Sequence, residues 1–122
     1  MAERLSEKEN KMNPRILTLM QFARKAGKLV SGFNACERAI GNKDIFLLIL
    51  AMDSSERTRE KMKKIAANAD ISSSVIETGS QQEISSALGL PLTGVFGIKD
   101  KNFAGKIMNI GSLKQRGGNI DD

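Results

Sequence analysis

Residues 45–51 read IFLLILA, and the longest apolar run in the chain extends from there only to Met52. That run is too short to cross a bilayer. It lacks the apolar–polar alternation of a half-exposed strand. Its length and its Ile/Leu content predict a central strand covered on both faces, which requires helices on either side of it.

Reading outward confirms the supply of helices. Downstream, Asp53-Ser54-Ser55-Glu56 forms an acidic version of a capping box, with Asp53 as the helix cap. The helix it opens extends to about Ala69, with Met62, Ile65, Ala66 and Ala69 inward and Arg57, Arg59, Lys61, Lys63 and Lys64 mostly outward. Ser74 to Glu77 reads as a short strand. Ser80-Gln81-Gln82-Glu83 is a full capping box before a helix carrying Ile84, Ala87 and Leu88. Gly89-Leu90-Pro91-Leu92 must be a loop, Gly94 to Ile98 a strand, and Asp100 caps a last helix through Met108.

Upstream, Asn13 caps and Pro14 opens a first helix whose Ile16, Leu19, Met20, Ala23 and Ala26 share one face, closed by Gly27. Lys28 to Ser31 reads as a short strand, and Gly32 to Ile40 as a second helix ending near Gly41-Asn42. Strands alternating with helices at this spacing predict a three-layer α/β/α sandwich around a mixed sheet of about four strands. The expected organisation is a polar lead-in over 1–13, one domain over 14–109, and a Gly-rich, polar, disordered tail over 110–122. No internal repeat interrupts it.

Composition excludes whole classes of chemistry. The 122 residues contain no His and a single Cys, so no histidine base, no Cys-His or Ser-His pair and no thiolate zinc site is available. One thiol suits a reducing cytoplasm, and the N-terminus lacks the apolar core of a signal peptide. With no Trp, no Tyr and five Phe, the chain also lacks a platform for stacking single-stranded bases. The net charge of +5 favours polyanionic partners. All of it lies in residues 14–43, where Arg15, Arg24, Lys25, Lys28, Arg38 and Lys43 oppose Glu37 alone; the remainder sums to zero. A solvated basic face explains this as readily as a ligand surface.

Helix geometry narrows the choice. At about 100° per residue, Phe33, Cys36 and Ile40 form the core face of the second helix, while Asn34 and Arg38 share the opposite face beside Ala35. An amide one turn from a guanidinium fork can read purine edges, and free N–H groups at the Gly32 helix start can meet a phosphate. The plainer alternative is a surface Asn and a turn Gly. Cys36 reads as a small buried hydrophobe. Asp53 occupies the place of a receiver-domain phosphoacceptor, but the acidic pair that fold needs is missing. GLPLTG (89–94) lacks phosphate-loop spacing. Its Leu90 and Leu92 either tuck into the core or pack on a partner.

GKLVSGFNACERAI (27–40), followed by the apolar strand and by an apolar loop after a capped helix, resembles the ribosomal protein L7Ae/L30e/S12e/Gadd45 superfamily. AGKLVSG (26–32) and DKNFAGKI (100–107) are most similar to its small bacterial branch, the YlxQ type. The resemblance covers about residues 14–108 and rests on the pattern G-x-N-x-x-x-basic-A-hydrophobic. It implies binding of kink-turn or related structured RNA: Gly32 and Asn34 at sheared G·A pairs, Arg38 one turn on, and Lys28 after the first-helix Gly. Leu90, Pro91 and Leu92 would cover a flipped-out nucleotide. Two departures stand out. Ala35 replaces the acidic residue that usually follows the Asn, and Val30 and Ser31 replace basic residues before the motif Gly.

The expectation is therefore a non-catalytic, cytoplasmic RNA-binding protein of ribosomal or ribonucleoprotein type. Arg24, Lys25, Lys28 and the Gly32 helix start would meet phosphates, Asn34 and Arg38 bases, and Leu90, Pro91 and Leu92 a bulged base. No metal, cofactor, membrane or small-molecule substrate is expected. The rival reading is a protein–protein interaction module that keeps the fold without RNA affinity. A third, the RNA-docking half of a methyltransferase, lacks its catalytic domain in this chain.

Overall fold

The computed structural model describes residues 12–120, with side chains up to 111; the lead-in over 1–11 and the last two residues lie outside the described part. The elements in order are α1 (Pro14–Lys25), β1 (Leu29–Ser31), α2 (Phe33–Gly41), β2 (Leu47–Leu50) and α3 (Glu56–Asn68). A single 3₁₀ turn (Ser72–Ser74) then leads to β3 (Val75–Glu77), α4 (Gln81–Leu88), β4 (Val95–Ile98) and α5 (Lys101–Ile120). The strands form one sheet in the order β1-β4-β2-β3, with β4 antiparallel to both neighbours and β3 parallel to β2.

The apolar run is the centre of the molecule, as its pattern required. All four residues of β2 are buried, and alternate side chains enter two separate cores. Leu47, Ile49 and Ala51 pack with Phe96 and Ile98 against α1, α4 and α5. Leu48 and Leu50 pack with Val95 against Cys36 and Ile40 of α2 and Met62 and Ala66 of α3. Each fully buried Leu or Ile contributes about 1.5–3 kcal/mol. Gly97 opposes Leu48 in the register, and its missing side chain leaves room for Ile45, Val30 and Cys36. The fold is the expected three-layer α/β/α sandwich around a four-stranded mixed sheet.

Four local expectations are corrected. Asp53 does not cap α3: Ser55 Oγ accepts from Thr58 N at 3.1 Å and the helix begins at Glu56. The Asp53 carboxylate instead accepts from Gln81 N at 2.9 Å, satisfying an amide at the start of α4 across the sheet end. Met12 is buried at 4% exposure beside Gly79, so the chain docks two residues before the expected start. Ala26 and Ala69 are exposed, because each is the residue at which its helix stops. Finally, α5 does not end at Met108 but runs to Ile120, over most of the expected tail. Met108 and Ile110 pack against the larger core and carry the helix past Gly111, a residue that costs a helix only about 1 kcal/mol.

Candidate nucleic-acid interface

At one end of the sheet, β1 turns into α2 through Gly32. Its φ of +94° lies in the region that disfavours L side chains, which is why the turn carries Gly. The Gly32 N–H is not free for a ligand. It donates to Val95 O at 2.8 Å and so ties the helix start to β4. Among the described residues no side chain caps α2, and its first internal bond is Cys36 N to Gly32 O at 3.0 Å. The open donors are therefore the amides of Phe33, Asn34 and Ala35, at the positive end of the helix dipole.

Apart from Phe33, which also lines the cleft described below, the side-chain faces fall as the spacing predicted. Cys36 and Ile40 are buried, Phe33 and Ala35 are half-buried, and Asn34 and Arg38 are exposed. Cys36 is fully buried, its Sγ 3.9 Å from Val30 O, and burial pushes the thiol pKa up to about 12. It is a protonated packing group.

Beside the Gly32 turn lies a cleft of about 400 Å³, lined by Phe33, Ser54, Ser55, Thr58, Gln81 and Leu92 over a floor of Thr93, Gly94 and Val95. The floor is rigid. Ser85 Oγ accepts from Thr93 N at 3.0 Å and donates to Thr93 O at 3.1 Å, and Ser54 Oγ donates to Gly94 O at 3.3 Å. Leu92 is 69% exposed at the rim, the most exposed large apolar side chain among the described residues. Pro91 is exposed too, but Leu90 tucks into the larger core, so the loop divides between the two alternatives.

Not every candidate shares this end. Lys28 precedes β1, whose three residues place it roughly 13 Å along the chain from Gly32. There Lys28 O accepts from Lys99 N at 2.7 Å. Arg24 and Lys25 sit further back, in the last turn of α1. All three are exposed. Of the candidates only Leu92 lines the cleft; Gly32 and Asn34 flank its lining residue Phe33 along the chain, and Lys28, Arg24 and Lys25 stand apart as a separate cationic group. Sequence reading missed Phe33, Ser54, Ser55, Thr58 and Gln81. Spacing places Phe33 on the core face, and Ser54, Ser55 and Gln81 read only as members of capping boxes. Nothing in their spacing announces that α3 and α4 begin at the same cleft. Among the described residues no cluster of three or more metal-ligating side chains exists, and no helix is long and apolar enough to cross a membrane.

Residues 15–107 match the family described as Ribosomal protein L7Ae/L30e/S12e/Gadd45. The chain belongs to this family. The match takes in every strand and all of the cleft. Among relatives, a protein from Enterococcus faecium named RNA-binding protein YlxQ is 33% identical over 90 residues, covering 74% of this chain and 84% of its own. A solved structure of a protein of unknown function from Bacillus halodurans superposes with a TM-score of 0.74 at 27% identity, covering 80% of this chain and 96% of that one. The L7Ae-type architecture is thus shared by chain order and by shape.

Proposed function

We propose that this L7Ae-family chain is a non-catalytic RNA-binding protein that recognises structured RNA of the kink-turn type, in a cytoplasmic ribosomal or ribonucleoprotein setting. One observation carries the reading: three unpartnered amides, Asn34 and an apolar-rimmed cleft meet at the Gly32 turn, with Arg38 one turn along the same exposed face. The relative's name, RNA-binding protein, agrees with it.

In this reading the open amides of Phe33 to Ala35 receive a backbone phosphate or a base edge. Asn34 and Arg38 supply donors and an acceptor to sheared G·A pairs. The cleft accepts a base turned out of the stack, with Phe33 and Leu92 offering apolar contact and Ser55, Thr58 and Gln81 hydrogen bonds. Because Leu90 faces inward, the loop's contact with RNA falls to Pro91 and Leu92. Arg24, Lys25 and Lys28 neutralise phosphates further along a helical arm and carry no base information.

The test compares a kink-turn duplex with the same duplex lacking its tandem G·A pairs. The protein should favour the former, and Arg38→Ala should weaken it about 5- to 150-fold, the 1–3 kcal/mol of a bidentate base contact. The melting temperature should not move, since Arg38 is exposed. Equal affinity for both duplexes, or no binding to either at low salt, would overturn the proposal and favour an interaction module.

A further inference from the structure

The five cations of α3 are balanced in the sequence by Asp44, Asp53, Glu56, Glu60 and Asp70, so segment 44–70 sums to zero. In three dimensions that balance does not hold locally. Asp44 sits 3.7 Å from Lys99 at the far end of the sheet, and Asp53 is engaged with the start of α4. On α3 itself, Arg59 and Lys63 both reach the Glu77 carboxylate, at 2.9 and 2.6 Å. Hydrogen bonding from Lys63, with a smaller share from Arg59, holds the Glu77 carboxyl below the usual range.

Arg57, Lys61 and Lys64 make no ion pair among the described residues. They occupy an arc of about 60° on the exposed side of α3, away from the Glu77 flank. Glu60 lies on the adjoining stripe and comes within ion-pair distance of none of them. The stripe also adjoins the site described above. The Lys61 ammonium lies 5.9 Å from the centroid of Phe33, the first residue of α2, while Thr58 lines the cleft one turn earlier.

We infer that Arg57, Lys61 and Lys64 form a second phosphate-contacting stripe, along which an RNA strand engaged at the Gly32 turn and cleft continues across α3. The inference rests on the RNA-binding reading and extends it to a helix whose summed charge concealed it. Unneutralised cations beside open helix amides attract a polyanion through counterion release, independent of base sequence. The stripe therefore sets affinity and salt dependence, while base discrimination stays with Asn34, Arg38 and the cleft.

The experiment measures affinity of the full chain for the kink-turn duplex, and for the duplex lacking G·A pairs, across a salt titration. Wild type is compared with R57Q/K61Q/K64Q, with the single K61Q and with K63Q. Each phosphate contact contributes about 0.7–0.9 to the slope of log affinity against log salt. The triple variant should flatten the slope by about two units and weaken both RNAs by a similar factor, tens-fold near 0.1 M salt. K61Q should account for about one contact, and K63Q, already paired with Glu77, for little. Preference between the two RNAs should persist. Wild type that discriminates the RNAs while the triple variant keeps its slope overturns the stripe alone. Wild type that binds neither RNA overturns the functional reading beneath it.

Discussion

Gly94, on the floor of the cleft, offers a stability test whose magnitude follows from the packing. It is buried and its φ is not in the positive region, so alanine there brings no backbone strain. The obstacle is steric: an added Cβ falls on Ser54 Oγ, well inside van der Waals contact, and 3.1 Å from both Ser54 Cβ and Gln81 Cγ. Ser54 is only 7% exposed and its hydroxyl donates to Gly94 O. Rotating it away orphans a buried hydroxyl, a loss of about 1–3 kcal/mol. The residual crowding against Ser54 Cβ adds overpacking of at least about 1 kcal/mol. Gly94→Ala should therefore destabilise by about 2–4 kcal/mol, a fall in melting temperature of roughly 8–16 °C for a chain of this size. Combining it with Ser54→Ala removes the colliding oxygen. The pair should then lose about 1–2 kcal/mol less than the sum of the single variants, measured by thermal or urea unfolding. A Gly94→Ala protein within 0.5 kcal/mol of wild type, or strictly additive losses, would refute the packing argument.

Three further outcomes are expected. Cys36, buried and with its thiol pKa pushed up to about 12, should not react with an aromatic disulfide reagent at pH 8 until the protein unfolds; rapid native-state labelling would show that α2 opens. The Glu77 carboxyl is held low by Lys63 and Arg59, so its pairing stabilises the fold at neutral pH and the contribution fades as pH falls through the depressed value. Glu77→Gln should accordingly lower stability at pH 7 and converge with wild type in acid; parallel curves down to pH 3 would contradict it. Leu92→Ser, at an exposed rim position, should shift stability by less than about 0.5 kcal/mol yet weaken binding to kink-turn RNA, and an unchanged affinity would remove the loop from the interface.

The fold was legible because its signals are local and redundant. IFLLILA needs two covered faces, and in the structure the strand period sends Leu47 and Ile49 into one core and Leu48 and Leu50 into the other. Caps at Asn13, Ser80 and Asp100 act within three residues and were read as they stand. The errors arose where a side chain acts at long range or a helix end is chosen by packing. Asp53 satisfies an amide 28 positions away. The extension of α5 depends on Met108 and Ile110 finding the larger core, which outweighs glycines that a propensity argument counts as breakers.

The candidate site was legible only in part, for a related reason. Asn34 and Arg38 could be placed together because four residues make one helical turn, a relation internal to α2. The cleft is not internal to any element: it exists because β4 pulls the Gly32 turn, the start of α3 and the start of α4 to one end of the sheet. Gly94 is the residue at that junction, accepting from Ala51 N at 2.8 Å and from Ser54 Oγ. Charge obeys the same rule. A sum over 44–70 weighs Asp44 and Asp53 equally with the lysines of α3, whereas a Coulomb interaction in water is largely screened beyond about 8 Å. Only charges brought within that distance offset one another: Glu77 is shared by two cations of α3, Glu60 adjoins the Arg57, Lys61 and Lys64 stripe without pairing to it, and Lys61 reaches the Phe33 ring at the open end of α2.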